Sequence, residues 1–203
     1  MTKDLIKELR ELTGAGILEI KHALAEVNHD KEKAIELLRK KGALKVGKKA
    51  DRVAKEGIIE AYIHPGSKLG ALVEINCETD FVARTSDFKA LAKDLALHIA
   101  AANPLYINTA DVPGEVVEKE KEIYKEQMST KGGSASGGKA KPGDVINKIV
   151  EGKIAKYYEE SCLMEQPFAK NPEIKVKDLV AAAAAKMGEN VVVKRFARFV
   201  LGN

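Results

Sequence analysis

A short run in the middle of the chain carries a large aromatic side chain among polar residues. The run Asn76-Cys77-Glu78-Thr79-Asp80-Phe81-Val82-Ala83-Arg84 follows an apolar stretch typical of a strand and precedes a stretch with helical periodicity. Connections between such elements lie at the surface and often carry binding, so Phe81 is a candidate wedge for insertion into another molecule. The alternative is that Phe81 folds back into the core, as most phenylalanines do, and that Asp80 is an ordinary helix-start carboxylate paired with Arg84.

The residue patterns of common enzymes are missing from the sequence. It contains no GxxxxGK[ST] phosphate loop, no GxGxxG after a strand, no GxSxG and no HExxH. The histidines fall on separate predicted elements without the spacing of metal ligands: His22, His29, His64 and His98. Cys77 and Cys162 form no CxxC pair, which argues against a zinc site or a disulfide framework and suits a reducing compartment. We therefore expect no cofactor, no metal and no catalysis.

Composition places the chain among globular proteins. Its 203 residues are 45% hydrophobic, enough for one substantial core, or for a modest core plus a small satellite domain. Charged residues make up 32% of the chain but nearly balance, at a net charge of +4, which argues against a dedicated nucleic-acid binder. The start of the chain has no basic leader before an apolar block, and no window resembles a membrane span. We expect a cytoplasmic protein without a membrane anchor.

Three amphipathic stripes near the start predict a domain of three helices over residues 1–42. The first two stripes are Leu5, Ile6, Leu9 and Leu12, then Ile17, Ile20, Leu24 and Val27; the third is Ala34, Ile35, Leu37 and Leu38. Gly14 and Gly16 separate the first pair, and Asn28-His29 the second pair. Asp30 is expected to cap the third helix and Gly42 to end it. A core this small favours recognition over chemistry.

A basic linker is predicted over residues 43–56. Cations concentrate in and just before it: Lys40, Lys41, Lys45, Lys48, Lys49, Arg52 and Lys55. A solvated hinge and a contact with RNA or an acidic surface are both compatible with this pattern.

The remainder, residues 57–203, is predicted to be an α+β core. Gly57–His64 and Leu69–Cys77 read as antiparallel strands joined by Pro65-Gly66-Ser67-Lys68. A third strand over Val191–Val200 follows a helix ended by Gly188 and suits an edge or a sheet with one wet face. We expect a small antiparallel sheet with helices on one side.

Two further helices are predicted between these strands, at about 114–128 and 144–160. Apolar residues on the first can face those on the second, which predicts an antiparallel helical hairpin over about 114–160 that projects from the domain. The segment joining them, residues 129–143, is rich in glycine and serine and predicts a flexible tip.

Taken together, three motifs resemble those of the bacterial elongation factor Ts family, the nucleotide exchange factors of elongation factor Tu. The first is Leu9-Arg10-Glu11-Leu12-Thr13-Gly14-Ala15-Gly16, with Lys21-His22-Ala23-Leu24 and Leu38-Arg39-Lys40-Lys41-Gly42 after it. The second is Glu74-Ile75 followed by the run from Asn76 to Arg84. The third is Gln166-Pro167-Phe168 with Phe196-Ala197-Arg198-Phe199, similar to the carboxy-terminal core of that family. The resemblance covers nearly the whole chain.

The resemblance implies a partner, a mechanism and two sets of site residues. The N-terminal helices would be a ubiquitin-associated-like domain that docks on the partner's GTPase domain. Its docking residues would be Leu12, Thr13, Gly14, Ala15, Gly16 and Ile17. The second set would be Thr79, Asp80, Phe81 and Val82. These residues would form an intruding tip beside the magnesium and phosphate site of elongation factor Tu, in its GDP-bound or nucleotide-free state. The chain would then promote GDP release by binding alone and would not be an enzyme.

The sequence also departs from the family pattern. Ile17-Leu18-Glu19-Ile20 stands where relatives often carry a Met-Met-Asp-Cys-like run. The chain has one sheet-and-helix half where long members have two, so it resembles a short form. A homodimer could supply the second half by pairing sheets or sheet edges across a twofold axis. Two rival hypotheses remain. The first is RNA or ribosome binding through the linker and the helical projection, although we expect no stable binding of nucleic acid. The second is an enzyme of unknown reaction.

Overall fold

The computed structural model describes residues 3–13, 15–47, 52–131 and 143–202, and these form an α+β structure, as expected. The helices are α1 (Lys3–Thr13), α2 (Ile17–Glu26), α3 (Lys31–Gly47), α4 (Asp80–Ala83), α5 (Ser86–Ala102), α6 (Gly114–Lys131), α7 (Gly143–Ser161) and α8 (Val176–Met187). The strands are β1 (Glu56–Ile63), β2 (Leu69–Cys77), β3 (Pro167–Phe168), β4 (Asn171–Lys175) and β5 (Val192–Val200). None of the helices within the described ranges is long and apolar enough to cross a membrane.

The chain divides into two compact units. The first comprises Met1–Ala101 with Lys177–Asn203, and the second comprises Ala102–Val176. The three N-terminal helices and the three-stranded sheet belong to the first unit, and the α6–α7 pair belongs to the second.

Helices α1, α2 and α3 share a small core of their own. Its fully packed side chains are at most 5% exposed: Leu9, Ile20, Ala23, Leu24, Ala34 and Leu38. Between α2 and α3, Asn28 and His29 have backbone φ angles of 53° and 63°, a conformation that ends a helix. Asp30 Oδ1 then accepts a hydrogen bond from the backbone N–H of Lys33 at 3.1 Å. The predicted break at Asn28-His29 and the predicted cap at Asp30 are both confirmed.

The predicted end of the third helix at Gly42 is wrong. Helix α3 continues through Gly42 to Gly47, so the first residues of the predicted linker are helical. A single glycine inside a helix costs only about 1 kcal/mol relative to alanine, and the following Ala43, Leu44 and Lys45 favour helix. Residues 48–51 of the predicted linker lie outside the described residues.

The three-stranded sheet has the order β1-β2-β5, and both neighbouring pairs are antiparallel. A tight turn joins β1 to β2, with Gly66 and Ser67 at φ angles of 93° and 57°. The backbone N–H of His64 donates to Leu69 O at 2.8 Å and closes the hairpin. The predicted hairpin and the predicted third strand at an edge of this sheet are therefore confirmed. The smaller β3–β4 hairpin carried no clear sequence signal and was not predicted.

Alternation along β2 gives the sheet one buried and one open face. The buried side chains are Ala71, Val73, Ile75 and Cys77, all at most 2% exposed. On the opposite face Leu72 is 43% exposed, and Ile63 and Phe199 flank Gly70 at 63% and 64% exposure. With Ile59, which faces Glu74 across β1 and β2, these residues form what we call the open sheet face. One exposed face was expected, but its apolar character was not.

In the second unit, α6 and α7 contact each other. Lys153 on α7 donates to Gln127 Oε1 at 3.1 Å and lies 4.8 Å from the ring centre of Tyr124. Val150 and Ile154 on α7 are buried, at 3% and 7% exposure. Most of the predicted tip, residues 132–142, lies outside the described residues.

The third family motif is divided between burial and exposure. Gln166 is 3% exposed and donates through Nε2 to Glu160 O at 2.7 Å, and Phe168 is 4% exposed. Arg198 Nε donates to Ala100 O at 3.0 Å. Phe199, which the resemblance placed in a carboxy-terminal core, lies on the open sheet face instead, because the side-chain alternation of β5 directs it away from the buried face.

Candidate protein-binding site

The predicted loop after β2 contains a single turn of helix. Thr79 is the N-cap of α4, and its Oγ accepts a hydrogen bond from the backbone N–H of Val82 at 3.4 Å. Helix α4 ends at Ala83, and Thr85 then caps α5, with its Oγ accepting from the backbone N–H of Phe88 at 3.2 Å. The aromatic residue therefore lies on a short, capped turn rather than on an irregular loop.

Phe81 is exposed. Its residue surface is 78% accessible, whereas Phe88, one element further along, is completely buried. Position decides this difference: Phe88 lies on the face of α5 that also buries Leu91, Ala92 and Leu95, and Phe81 lies in the first turn of α4. The alternative in which Phe81 folds back into its own core is wrong.

The charged neighbours of Phe81 pair locally. Arg84 and Asp80 form an (i, i+4) ion pair with a distance of 2.8 Å between Nη2 and Oδ2. Both side chains are exposed, at 76% and 44%, so solvent screens the pair and its contribution to stability is small. The carboxylate of Asp80 also lies at the N-terminus of α4, where a negative charge is favourable. Val82 is half-buried.

Cys77, at the end of β2 and just before the Thr79–Val82 segment, is fully buried. Its Sγ donates to Thr79 O at 3.1 Å. Burial raises the pKa of the Cys77 thiol above its ordinary value, and the charge of Glu189 raises it further. The thiol therefore keeps its proton at neutral pH and can serve as this donor.

A glutamate distant in sequence holds the segment just before Phe81. Glu189 Oε2 accepts hydrogen bonds from the backbone N–H groups of Glu78 and Thr79, both at 3.0 Å. Glu189 Oε1 accepts from the Thr79 hydroxyl at 2.6 Å. In return, Glu78 Oε1 accepts from the backbone N–H of Asn190 at 2.7 Å. Sequence reasoning missed Glu189, because nothing local indicates that it pairs with residues about 110 positions away.

The N-terminal docking residues predicted from the resemblance lie between α1 and α2, with mixed exposure. Leu12 and Ile17 are exposed, at 59% and 45%. Ala15 is half-buried against the helical core, and Gly14 lies outside the described residues. Leu18, which was not among the predicted docking residues, is 72% exposed. The helical periodicity could have indicated this, because Leu18 is off the stripe formed by Ile17, Ile20 and Leu24.

Hydrogen bonds stiffen the junction between α1 and α2. The Thr13 hydroxyl donates to Leu9 O at 2.6 Å and accepts from the backbone N–H of Ala15 at 3.3 Å. The backbone N–H of Gly16 donates to Glu19 Oε2 at 3.3 Å. The described residues on either side of Gly14 are thus hydrogen-bonded locally, and the side chains of Leu12 and Leu18 beside them are exposed.

Part of the predicted basic linker has an internal partner. Arg52 Nη1 lies 3.4 Å from Glu78 Oε2, and Arg52 O accepts from Asn190 Nδ2 at 2.8 Å. This arginine therefore contacts the segment before Phe81. Of the four histidines, His98 is fully buried in α5.

Phe81 is an exposed ring on a capped turn, and the backbone N–H groups of Glu78 and Thr79 before it are already hydrogen-bonded. This arrangement is suited to contact with another macromolecule. Among the described residues there is no cluster of three or more His, Cys, Asp or Glu side chains that could hold a metal ion.

Comparison with known proteins identifies the family. Residues 3–203 match the sequence profile described as elongation factor TS, and the chain belongs to the elongation factor Ts family. It is 54% identical to elongation factor Ts of Carboxydothermus hydrogenoformans over 202 residues, covering 100% of this chain and 89% of the relative. It is 55% identical to that of Thermodesulfovibrio yellowstonii, covering 100% and 96%, and 51% identical to that of Fervidobacterium nodosum, covering 100% and 98%.

Family membership makes this chain an exchange factor of translation elongation, and so a component of protein biosynthesis.

Proposed function

We propose that the chain binds elongation factor Tu in its GDP-bound and nucleotide-free states and accelerates GDP release, with Asp80 and Phe81 intruding beside the partner's magnesium and phosphate site. The observation that carries this proposal is the 78% exposure of Phe81 on a capped turn. A large apolar side chain held in solvent is already placed for burial in a partner. Family membership supplies the identity of that partner.

The mechanism needs no covalent chemistry. A protein that binds the nucleotide-free partner more tightly than the GDP-bound partner weakens GDP binding by the same factor. Burying Phe81 contributes about 1.5–3 kcal/mol. A thousandfold weakening of GDP, taken as an illustration, requires about 4 kcal/mol. The ring is therefore insufficient alone, and disturbed magnesium coordination in the partner supplies the remainder, with Thr79 and Val82 shaping the intruding tip.

The three-helix domain provides anchorage in this proposal. The corner formed by Leu12, Thr13, Gly14, Ala15, Gly16 and Ile17 docks on the partner's GTPase domain, as in a ubiquitin-associated-like domain. Exposed Leu12 and Leu18 support a docking role because they are available for burial. Docking there raises the effective concentration of the tip at the nucleotide site. The functional division is then the three-helix domain, extended to Gly47, for docking, a linker between Gly47 and β1, and the part from β1 onward as core and dimerisation domain, with the helices of 114–160 forming a hairpin.

The open sheet face supports a homodimer. Ile59, Ile63, Leu72 and Phe199 leave a contiguous apolar area in solvent, and the ion pair between Arg195 and Glu74, at 2.6 Å, borders it. A second copy applies the same surface across a twofold axis and covers both patches at once. The homodimer also supplies a second sheet, matching the two sheet-and-helix halves of long family members.

The direct test is release of fluorescent GDP from purified elongation factor Tu. The wild-type chain is expected to accelerate release, and Phe81→Ala is expected to lose most of that acceleration while keeping its helical and strand circular dichroism. Leu105→Ala is the matched control, since Leu105 is also an exposed apolar residue, at 63%. Equal exchange activity of Phe81→Ala and wild type would refute the wedge.

A further inference from the structure

Thr79, immediately before Asp80 and Phe81, has every polar group engaged. Its backbone N–H and hydroxyl donate to Glu189, and its carbonyl accepts from Cys77 Sγ and from the backbone N–H of Ala83 at 3.3 Å. Its hydroxyl oxygen accepts from Val82 N–H. Because the hydroxyl proton is directed to Glu189, the oxygen lone pairs remain available for that N-cap bond. The orientation of α4 is thus linked to Glu189.

The chain places Glu189 through a specific turn. Helix α8 ends at Met187, and Gly188 follows with a φ of 76°, its backbone N–H donating to Ala184 O at 2.8 Å. This left-handed residue turns the chain out of the helix, so that Glu189 lies between the end of α8 and the start of β5 at Val192. Asn190, at 5% exposure, is held on the other side by Glu78 and Arg52. The segments Glu78-Thr79 and Glu189-Asn190 are therefore held together by hydrogen bonds in both directions.

We infer that Glu189 is a positioning residue for nucleotide exchange: its carboxylate holds Thr79 and thereby fixes the direction in which α4 presents Asp80 and Phe81. This inference rests on the proposed function. A helix of one turn has no stability of its own, so its orientation must come from its anchors. Hydrogen bonds to a carboxylate are roughly twice as strong as neutral ones, and Glu189 makes three.

The consequence is preorganisation of the tip. A ring that is already oriented loses less freedom when it enters the partner, so more of its burial energy remains to oppose GDP binding. Weakening the hydrogen bonds of Glu189 to Thr79 is expected to reduce the maximal rate of GDP release, because that rate depends on how α4 presents Phe81. It is expected to leave half-saturation nearly unchanged, because docking depends on the helical domain.

The test compares Glu189→Gln with wild type by two measurements on the full-length chain. The first is amide hydrogen exchange at Glu78 and Thr79, which needs no partner. The second is the dependence of fluorescent GDP release on chain concentration. Loss of a charge-assisted acceptor is expected to speed exchange of both amides about tenfold and to lower the maximal release rate about tenfold, with half-saturation changed less than twofold.

Three variants make the result specific. Glu122→Gln removes a carboxylate from the exposed face of α6 and is expected to match wild type in both measurements. Thr79→Val keeps the shape of the side chain but removes the hydroxyl bond to Glu189, and is expected to lower the maximal rate as well. Thr79→Ser restores the hydroxyl and is expected to recover most of the rate that Thr79→Val loses. If Glu189→Gln does not fold, the Thr79 pair carries the test.

The outcomes separate this inference from the proposed function. Faster amide exchange with an unchanged release rate would overturn the positioning role, even though the contacts are real. Unchanged amide exchange would overturn the contacts themselves. If the wild-type chain fails to accelerate GDP release, the proposed function fails, and the amide measurement still decides whether Glu189 holds the tip.

Discussion

At the scale of single residues, Phe81 and Phe88 show how the same side chain acquires opposite roles seven positions apart. Both lie just inside a helix preceded by a threonine cap, Thr79 for the first and Thr85 for the second. Phe88 lies on the apolar stripe of α5 and is fully buried, while α4 is too short to have a stripe. The threonine caps are local signals, but the burial of each ring depends on what packs around it.

The first prediction separates the two rings by stability. Phe81→Ala is expected to change the free energy of unfolding by less than about 0.5 kcal/mol, because its ring is already in solvent. Phe88→Ala is expected to lower it by about 3–5 kcal/mol, because it leaves a cavity in the core. Urea denaturation followed by circular dichroism measures both. Comparable losses for the two variants would mean that Phe81 contributes to the core.

A second prediction at this scale concerns Gly188 and Gly152, which an alanine replacement affects in opposite ways. Neither position has an atom within 4 Å of an added Cβ, so the cost is one of backbone conformation. Gly188 has a φ of 76°, and Gly188→Ala is expected to lower stability by about 1 kcal/mol. Gly152 lies inside α7, and Gly152→Ala is expected to raise stability by about 0.5–1 kcal/mol. Thermal unfolding of both variants checks the sign, and a destabilised Gly152→Ala would contradict it.

At the scale of elements, periodicity was sufficient for the longer helices and for the strands of the three-stranded sheet, but not for all of their ends. The break at Asn28-His29 and the turn at Gly66 and Ser67 were predictable because positive φ angles favour glycine, asparagine and similar residues. The continuation of α3 to Gly47 was not, because a lone glycine is a weak stop signal. The turn of α4 was missed because four residues are too few to show a period.

The exposed leucines beside the α1–α2 corner give a prediction at the scale of the helical domain. A Leu12→Ser/Leu18→Ser double variant is expected to bind elongation factor Tu about tenfold more weakly with little loss of stability, since both side chains are exposed. Isothermal titration measures the affinity. Leu24→Ala is the contrasting variant, because its fully buried side chain should cost about 2–5 kcal/mol of stability. Wild-type affinity of the double variant would remove this corner from the docking surface.

At the scale of the whole molecule, the open sheet face predicts the oligomeric state. Wild-type chain is expected to sediment as a dimer, and Phe199→Asp is expected to sediment as a monomer because a carboxylate would be buried at the contact. Leu105→Asp, an equivalent change at an exposed leucine in the second unit, is expected to leave the dimer intact. Sedimentation velocity of the three proteins gives the answer, and a monomeric wild type would refute the homodimer.

A pH prediction follows from the two buried thiols. Burial raises the pKa of Cys77 and of Cys162 above the ordinary thiol value of 9.0. Above that pH the unfolded chain loses thiol protons that the folded chain retains, so the contribution of the two thiols to stability is constant below pH 9.0 and is lost as pH rises through the folded pKa values. Denaturation at several alkaline pH values measures this decline. A Cys77→Ala/Cys162→Ala variant is expected to decline less steeply, and an unchanged slope would contradict the assignment.

Local sequence patterns were enough to predict the α+β class, the β1–β2 hairpin, the three N-terminal helices and the position of Phe81 between two elements. These features follow from side-chain periodicity and turn chemistry, which act over a few residues. Tertiary structure alone decided that Phe81 is exposed, that Phe199 lies on an open apolar face and that Glu189 holds Thr79. The reason is physical: each depends on packing or hydrogen bonds between residues far apart in the chain, and the contact between Glu189 and Thr79 spans 110 positions.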